Sequence, residues 1–387
     1  PKKILNSSIE EEFLPGFPNF RYKRINILMG GNATGKTSIG KLLMNLFIFI
    51  NKREIMVLAD RIRDAQKAAR LVIDFIPQKS QLFRMDITIP PEPAKEYALD
   101  KCQIYLGEEE IRERDSYETC IFRLEKKGLI QLYPVKTSSG YCCPVKEQIE
   151  QKRALGESYK GLWYLDMVRF GWYFTYPLDA EYMKGVDFGE PSDMYLQVLR
   201  RVLISLDPSI WDIRRLESIK NTYVIRTGTH ELIIKEGKLE ENSILSSGTK
   251  AGIDVAGLIT AMLDHSAGFY YCDEKFSYIH SDIEKTLFSI MASLVGKGEQ
   301  LFFTTHNMDI LDMNFPKHSF LFLKREGRFQ NKSIHGEQSI TCISASEFLK
   351  KSTDSVRNAM VNDLFGIAPR VESLYELENI LEEEGYE

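Results

Sequence analysis

The period of the hydrophobic positions changes near residue 36. Residues 24–28, "RINIL", are an apolar and β-branched run that leads into glycine, which is typical of a buried strand. From Lys36 onward the apolar residues recur at steps of three and four, as on one face of a helix. These residues are Ile39, Leu42, Leu43, Leu46, Phe47 and Ile50. The pattern predicts a strand that passes through a short loop into an amphipathic helix.

The middle of the chain gives a mixed pattern. Residues 61–75 are predicted to form a second amphipathic helix. Residues 100–134 look like β-structure, and "CIFRLEKKGLIQLY" is predicted to be a hairpin that turns near Lys127 and Gly128. Residues 145–205 are predicted to be mostly helical, and their aromatic clusters are expected to lie in the core.

The last part of the chain alternates helices and strands. "TYVIRTGTHELIIKEGKL" is predicted to be a hairpin. It is followed by a helix at 247–263, a strand at 269–272, a helix at 281–295 and strands at 300–304 and 319–324. This alternation is typical of an α/β fold.

Composition and charge exclude several classes of protein. The chain has 387 residues, of which 43% are hydrophobic, enough for one large domain or two modest ones. Its apolar runs are far shorter than the roughly 20 residues that span a bilayer, and "PKKILNSSIEEEF" has no apolar signal core. The six cysteines lack metal-like spacing. We therefore expect a cytoplasmic protein with reduced thiols and no membrane partner.

The net charge of −5 argues against a protein that coats nucleic acid unaided. Local basic clusters, such as "RYKR" at 21–24 and the pairs Arg200/Arg201 and Arg214/Arg215, leave contact with DNA open. A solvated helix face explains such clusters equally well.

The loop "GGNATGKTS" carries the strongest chemical signal. Gly30, four residues, and then Gly35-Lys36-Thr37 fit G-x-x-x-x-G-K-[ST] between a strand and a helix. Such a loop points backbone N–H groups and a helix N-terminus at phosphates. Lys36 would contact the β- and γ-phosphates of ATP, and the Thr37 hydroxyl would contact Mg²⁺. The predicted nucleotide-binding residues are Gly30, Gly31, Asn32, Ala33, Thr34, Gly35, Lys36, Thr37 and Ser38.

An acidic pair follows a later apolar strand. Asp273 and Glu274 come directly after "FYYC". Asp273, at the end of a buried strand, is predicted to hold Mg²⁺ through coordinated water. Glu274 would project in another direction and activate the attacking water.

Two further motifs give a family resemblance. "LSSGTKAG" at 245–252 opens a helix 28 residues before Asp273, and "LFFTTHN" places His306 32 residues after Glu274. In this order and spacing the chain resembles the ABC-type ATPase superfamily. The resemblance implies that Ser246, Ser247 and Gly248 meet the γ-phosphate held by a second subunit. It also implies that His306 hydrogen-bonds that phosphate.

Details of these motifs point to one branch of that superfamily. The form L-S-S-G-T and the histidine at position 280, six residues after Glu274, resemble the overcoming-lysogenization-defect and SMC-like branch. "SVRNAMVNDLFGIAP" resembles the closing segment of anti-phage ATPases in that branch. The resemblance implies an ATP-hydrolysing sensor or regulator of a prokaryotic anti-phage defence system. An SMC-like DNA-repair ATPase acting on DNA ends and an ABC importer ATPase subunit remain alternatives.

The spacing of the motifs sets the expected architecture. Lys36 and Leu245 are 209 residues apart, and the residues between them show no long heptad pattern. We predict an α/β ABC-type P-loop ATPase head with an antiparallel β-subdomain, a helical insert lobe and no long coiled coil. The predicted parts are 1–78 with the P-loop, 79–205 as the insert, 206–330 with the signature, acidic pair and switch histidine, and 331–387 as a C-terminal helical segment.

The expected partners follow from the same resemblance. It implies a homodimer or larger ring in which ATP lies between Lys36 of one copy and Ser247 of another. No D-x-D cluster follows residue 312, so a nuclease or toxin effector would be a separate polypeptide, triggered by DNA or a phage protein. Gln78, Gln81 and Gln103 are candidates for the glutamine that senses Mg²⁺ and the γ-phosphate in this superfamily.

Overall fold

The protein is a mixed α/β structure organised around a six-stranded sheet. The structure is a computed structural model. It describes residues 12–78, 80–137, 140–146, 150, 154, 171–175, 192–219, 222–228, 230–235, 238–239, 246–326, 339–351 and 353–368. Within these residues the predicted α/β class is confirmed.

The central sheet is mainly parallel. In sheet order its strands are β16 (Ser339–Ser344), β15 (Phe320–Glu326), β1 (Ile25–Gly30), β14 (Gln300–Thr304), β13 (Phe269–Asp273) and β8 (Trp172–Thr175). All neighbours run parallel except β15 and β16. The carboxyl ends of β1, β13 and β14 therefore meet at one edge, where ligands bind in open α/β sheets.

Helices cover both faces of this sheet. The helices of the described residues are α1 (Lys36–Lys52), α2 (Ile55–Ala59), α3 (Tyr117–Lys127), α4 (Asp193–Leu206), α5 (Ser247–Leu263), α6 (Ser281–Leu294), α7 (Ala345–Phe348) and α8 (Val356–Val361). Of these, α3 packs on a neighbouring antiparallel sheet and not on the central one. The largest core cluster joins α4, α5 and α6 to the sheet, and a smaller one packs α1 against β8 and β13. Short 3-10 helices include Met308–Asp312. The longest helices of the described residues, α1 and α5, have 17 residues each.

Three antiparallel sheets lie beside the central one. The first contains β2 (Ala69–Gln78), β3 (Gln81–Ile89), β4 (Gln103–Glu110) and β5 (Ile130–Leu132), with α3 packed on β4; we call this sheet and α3 the lateral lobe. The second contains β9 (Ile210–Arg215), β10 (Thr222–Thr227), β11 (Glu231–Lys235) and β12 (Lys238–Leu239). The third pairs β6 (Val135–Thr137) with β7 (Gly140–Cys142).

The predicted helix at 61–75 is wrong. Its second half is strand β2, which pairs antiparallel with β3. Leu71, Ile73 and Phe75 alternate with polar or exposed residues and pack onto one core cluster. The two-residue period of this face, completed by a partner strand, prevails over the helical spacing of the segment.

The predicted hairpin at 120–133 is also wrong in its first half. The segment begins in α3, where Cys120 and Leu124 are buried one turn apart. The Ser116 side chain caps the helix by accepting from the Thr119 N–H at 3.2 Å. Gly128 ends it with a φ of 83°, so the glycine is a helix cap and not a hairpin turn. Within 120–133, β5 is the part that forms a strand as predicted.

The helical prediction for 145–205 holds for α4 and is wrong at 172–175. Those residues form β8, which pairs parallel with β13 in the central sheet. The remainder of the segment, and with it most of the predicted helical lobe, falls outside the described residues.

The later predictions agree closely with the structure. Helix α5 and strand β14 have the predicted bounds, β10 and β11 form the predicted hairpin, and α6, β13 and β15 differ from prediction by one or two residues at their ends. The domain boundaries at 78, 205 and 330 stay predictions.

Candidate active site

The loop between β1 and α1 has the backbone that a phosphate cradle requires. Ala33 and Gly35 have φ values of 59° and 91°, and a chain that alternates between right- and left-handed conformations can turn successive N–H groups into one concavity. A Cβ at Gly30 would lie 2.7 Å from Thr34 Oγ1 and 2.9 Å from the Leu323 carbonyl oxygen, so only glycine fits there. The Thr34 hydroxyl closes the loop by donating to the Gly31 carbonyl at 2.8 Å.

Lys36 is held inside this loop. Its side chain is 4% exposed, and its ammonium donates to the carbonyls of Gly30 at 3.0 Å and Gly31 at 3.3 Å. The same nitrogen lies 3.1 Å from Glu274 Oε1. Three oxygen atoms thus contact the ammonium, two of them from backbone carbonyls and one from the Glu274 side chain.

Helix α1 is fixed to the acidic strand by one tyrosine. The Tyr271 hydroxyl, from β13, donates to the Lys36 carbonyl at 2.8 Å. A Cβ at Gly40 would lie 2.5 Å from Tyr271 Cε1, so the missing side chain lets helix and ring approach. This contact sets the distance between the loop and the carboxylates at the end of β13.

Asp273 is fully buried between two hydroxyl groups. Its Oδ2 accepts from Thr37 Oγ1 at 2.6 Å, and its Oδ1 accepts from Thr304 Oγ1 at 2.7 Å. Burial raises the pKa of Asp273, and the two hydroxyl donors act against that rise. The contact to Thr37 brings together the two residues predicted to hold Mg²⁺.

Glu274 leaves the strand and faces Lys36 and His306. Its φ of 45° is uncommon for a residue with a side chain and is held by the Thr304 side chain, whose oxygen accepts from the Glu274 N–H at 2.9 Å. Glu274 Oε1 lies 3.0 Å from His306 Nε2 as well as 3.1 Å from Lys36 Nζ. The hydrogen bond with His306, and then Lys36, hold the pKa of Glu274 down to about 2. The two adjacent carboxylates therefore have separate partners.

His306 lies just beyond β14, and its side chain is 42% exposed. Parallel pairing of β13 and β14 places Asp273 opposite Thr304, so the residues that follow both strands come together. The structure thus unites Lys36, Thr37, Asp273, Glu274 and His306 in one site.

The signature residues make local contacts of their own. The Ser246 side chain caps α5 by accepting from the Thr249 N–H at 3.1 Å, and a Cβ at Gly248 would lie 3.4 Å from the Tyr278 carbonyl oxygen. Among the residues that the structure describes, no hydrogen bond or ion pair joins 246–248 to the loop at 30–38. Their predicted phosphate contact stays a prediction.

The three glutamine candidates lie on strands of the lateral lobe. The Gln81 side chain donates to Glu108 Oε1 at 2.8 Å within the lateral lobe. Gln103 begins β4 in the same lobe, and the side chain of Gln78 lies outside the described residues.

Sequence reasoning missed the supporting residues of the site. Thr304 bonds to both Asp273 and Glu274, and Tyr271 fixes α1. Lys275, which is 3% exposed, forms a 2.6 Å ion pair with Asp254 of α5. A parallel pairing of "FYYCD" with "QLFFT" would have placed Thr304 beside Asp273, but that pairing is not visible in either segment alone.

The donor set fits Mg²⁺ better than a metal bound only by protein side chains. A hydroxyl and a carboxylate in contact are oxygen ligands of the kind Mg²⁺ takes together with phosphates and water. Across the described residues, no group of three or more His, Cys, Asp or Glu side chains is placed to hold a metal ion. In that same part of the chain, no helix combines the length and apolar character needed to cross a membrane.

Comparisons with known proteins give low similarity. No family model and no curated protein matches the chain. Among solved structures, it is similar to an SMC head bound to the C-winged helix domain of ScpA, at 13% identity and a TM-score of 0.42, covering 86% of this chain and 97% of that one. It is also similar to an SMC head domain from Thermotoga maritima, at 14% identity and a TM-score of 0.32, covering 85% and 96%.

A third similar structure is an Smc head domain with an extended coiled coil, bound to the C-terminal domain of ScpA derived from Pyrococcus furiosus. The identity is 11% and the TM-score 0.43, with 86% of this chain and 95% of that one covered. These scores lie below 0.5, so the likeness carries no conclusion about what this chain binds or does.

Proposed function

We propose that this chain binds ATP in the loop between β1 and α1 and hydrolyses it. The observation that carries the proposal is the presence of two adjoining sets of contacts, Lys36 and His306 with Glu274 and Thr37 with Asp273. These residues come from three separate parts of the sequence. Charged groups that gather at the carboxyl edge of a parallel sheet favour a catalytic role over a structural one.

Binding would use the backbone of 30–35, the N-terminus of α1 and the Lys36 ammonium. Phosphate oxygens would compete with Glu274 for Lys36, since both are anionic and the ammonium is a point charge that can exchange partners. Thr37 and Asp273 would hold Mg²⁺, which when bound supplies positive charge next to the phosphates. Asn32 and Ser38 are exposed at the loop and at the start of α1, where a nucleotide could reach them.

Hydrolysis would begin from the Glu274 carboxylate, after phosphate oxygens of ATP have replaced it as the partner of Lys36. The oxygen of a water molecule would attack the γ-phosphorus while Glu274 takes a proton from that water. The bond between the γ-phosphorus and the bridging β,γ-oxygen would break. Lys36 would stabilise charge on the departing phosphate. His306 would hold Glu274 through its 3.0 Å contact and would contact the γ-phosphate.

A second copy of the chain would complete the site. Ser246, Ser247 and Gly248 open the 17-residue helix α5, and a capped helix N-terminus with a serine hydroxyl suits an anion. Among the described residues no hydrogen bond or ion pair joins these residues to the loop of their own chain, and a two-fold dimer would let each signature face the partner's Lys36.

The first experiment is the Glu274→Gln substitution. It keeps the size of the side chain and removes the base, so we expect ATP hydrolysis to fall about 10²- to 10⁴-fold with ATP binding retained. Phosphate release and equilibrium binding of ATP would measure the two effects. Glu231→Gln, at an exposed glutamate of β11, is the control. Hydrolysis that survives Glu274→Gln would contradict the base assignment.

We propose further that the ATPase regulates a separate nuclease or toxin in anti-phage defence. This rests on the resemblance of "LSSGT" and of the segment around 274–280, not on the geometry of the site. Phage plating on cells that carry the gene with its neighbours, in the parent and Glu274→Gln forms, tests it. Hydrolysis stimulated by duplex DNA ends would favour the repair alternative, and co-purification with a membrane-spanning subunit the importer alternative.

A further inference from the structure

One buried carboxylate near the site has no role in the chemistry proposed so far. Glu284 lies in the first turn of α6 and is 4% exposed. A buried carboxylate is costly unless hydrogen bonds compensate for the lost water. The hydrogen-bond partners of Glu284 therefore indicate why a carboxylate is buried at this position.

Both oxygens of Glu284 are bonded to the loop that carries His306. Thr305 Oγ1 donates to Glu284 Oε1 at 2.6 Å, and Asn307 Nδ2 donates to Glu284 Oε2 at 2.8 Å. Thr305 and Asn307 are the two residues on either side of His306. A single side chain thus holds both neighbours of the histidine.

The same two neighbours are tied to each other and to α6. The Asn307 N–H donates to Thr305 Oγ1 at 2.9 Å, and Asn307 Nδ2 also donates to Ser281 Oγ at 2.9 Å. Thr305 N–H donates to the Leu28 carbonyl at 3.3 Å, next to the loop at 30–35. With both neighbours fixed, the backbone of His306 is held in place, which sets the point from which its ring reaches Glu274.

We infer that Glu284 is a positioning residue for ATP hydrolysis that acts through His306. The inference rests on the function proposed above. Glu284 holds Thr305 and Asn307, and these two residues position His306 between them. The His306 ring lies 3.0 Å from the Glu274 carboxylate. Displacements of about 1 Å in a catalytic group can cost on the order of 10²-fold in rate, so a loosened loop would lower turnover without touching the nucleotide.

Glu284→Gln is the direct test. A Gln side chain has one acceptor oxygen and one amide donor group, so Thr305 Oγ1 and Asn307 Nδ2 cannot both donate to it as they do to Glu284, and the negative charge is lost. We expect kcat for ATP to fall about 10- to 100-fold, with KM and the affinity for ATP unchanged. Glu299→Gln is the matched control: Glu299 is 8% exposed and has two partners, His265 and Gly296, but precedes β14 at the opposite end from Thr304. It should leave kcat within twofold.

A double mutant separates positioning from general support of the fold. In a His306→Ala background, Glu284→Gln should change kcat less than twofold, because the group it positions is gone. A full 10- to 100-fold loss in that background would overturn the inference. So would a Glu284→Gln single variant with kcat within threefold of the parent.

The experiments also distinguish a failure of the proposed ATPase function from a failure of the inference about Glu284. Absence of ATP hydrolysis in the unsubstituted chain contradicts the proposed function, whereas an active chain insensitive to Glu284→Gln contradicts only the inference. If Glu284→Gln does not fold by circular dichroism, Thr305→Val replaces it. That variant removes both hydrogen bonds of the Thr305 hydroxyl, the one donated to Glu284 Oε1 and the one accepted from the Asn307 N–H, and is expected to lower kcat with KM unchanged. An unchanged kcat in Thr305→Val overturns the inference.

Discussion

The candidate active site and the lateral lobe both hold cations against carboxylates, but with different geometry. In the lobe, Arg84 makes a fork to Asp74, with Nε–Oδ1 at 2.7 Å and Nη2–Oδ2 at 2.8 Å, and reaches Glu125 with its third nitrogen at 2.8 Å. Arg123 makes a similar fork to Asp115, with Nη1–Oδ1 at 2.8 Å and Nη2–Oδ2 at 2.6 Å.

The active site uses an ammonium instead. Lys36 shares one Glu274 oxygen with His306 and otherwise contacts backbone carbonyls. A guanidinium fork fixes two planar groups in one arrangement, whereas an ammonium has no preferred plane and can change partners. The comparison indicates that the lobe pairs stabilise the fold and that the Lys36 pair is arranged to be exchanged.

The largest effect is expected for Lys36→Arg. The charge is kept, but the guanidinium is larger than the ammonium, and Lys36 is only 4% exposed with three oxygens within 3.3 Å. We expect kcat/KM for ATP to fall at least about 100-fold, or about 2.7 kcal/mol. Phosphate-release kinetics measure it, with Lys52→Arg at the exposed end of α1 as control. Retention of more than a tenth of the parent value would contradict the claim that the site requires an ammonium.

The reverse substitution, Arg84→Lys, should affect stability and not catalysis. Lysine cannot make the fork to Asp74, so we expect the free energy of unfolding to fall by about 1–3 kcal/mol. ATP turnover per folded molecule should stay within twofold. Urea denaturation measures the change. Arg70→Lys is the control, because the Arg70–Asp86 pair lies in the same sheet with Arg70 68% exposed, and its effect should be much smaller. Equal losses of unfolding free energy in Arg84→Lys and Arg70→Lys would contradict the claim that the Arg84 fork stabilises the fold.

A smaller, pH-dependent effect is expected for Asp115→Asn. The Arg123 guanidinium holds the pKa of Asp115 to about 2, below the value of about 3.9 in an unfolded chain. A depressed folded pKa contributes stability that is full above about pH 4 and is lost as the pH falls towards 2. After allowance for screening we expect about 1 kcal/mol. Urea denaturation of parent and variant at pH 6 and pH 3 should show the difference shrink; a constant difference would contradict the assignment.

The sequence predicted which residues come together at the candidate site better than it predicted the rest of the fold. Lys36 and Thr37 lie in one motif, and Asp273 and Glu274 follow one apolar strand, so local patterns suffice to identify them. Their convergence required only that β1, β13 and β14 be parallel neighbours, which alternating helices and strands favour.

The errors lie where a partner strand outside the segment decides the structure. Residues 69–75 form a strand because β3, the next strand along the chain, pairs with them, and Trp172–Thr175 form a strand because the distant β13 lies alongside. The local spacing of both segments was compatible with a helix. Glu284 was missed for the same reason, since its contacts to Thr305 and Asn307 span 21 and 23 residues.

The most direct measurement is a crystal structure of the Glu274→Gln variant grown with ATP and Mg²⁺. The account predicts that Lys36 contacts the β- and γ-phosphates instead of residue 274, that Thr37 and Asp273 lie at the metal, and that Ser247 of a second copy faces the γ-phosphate. A structure in which ATP binds elsewhere, or in which Lys36 keeps its carbonyl and residue 274 contacts beside a bound triphosphate, would contradict it.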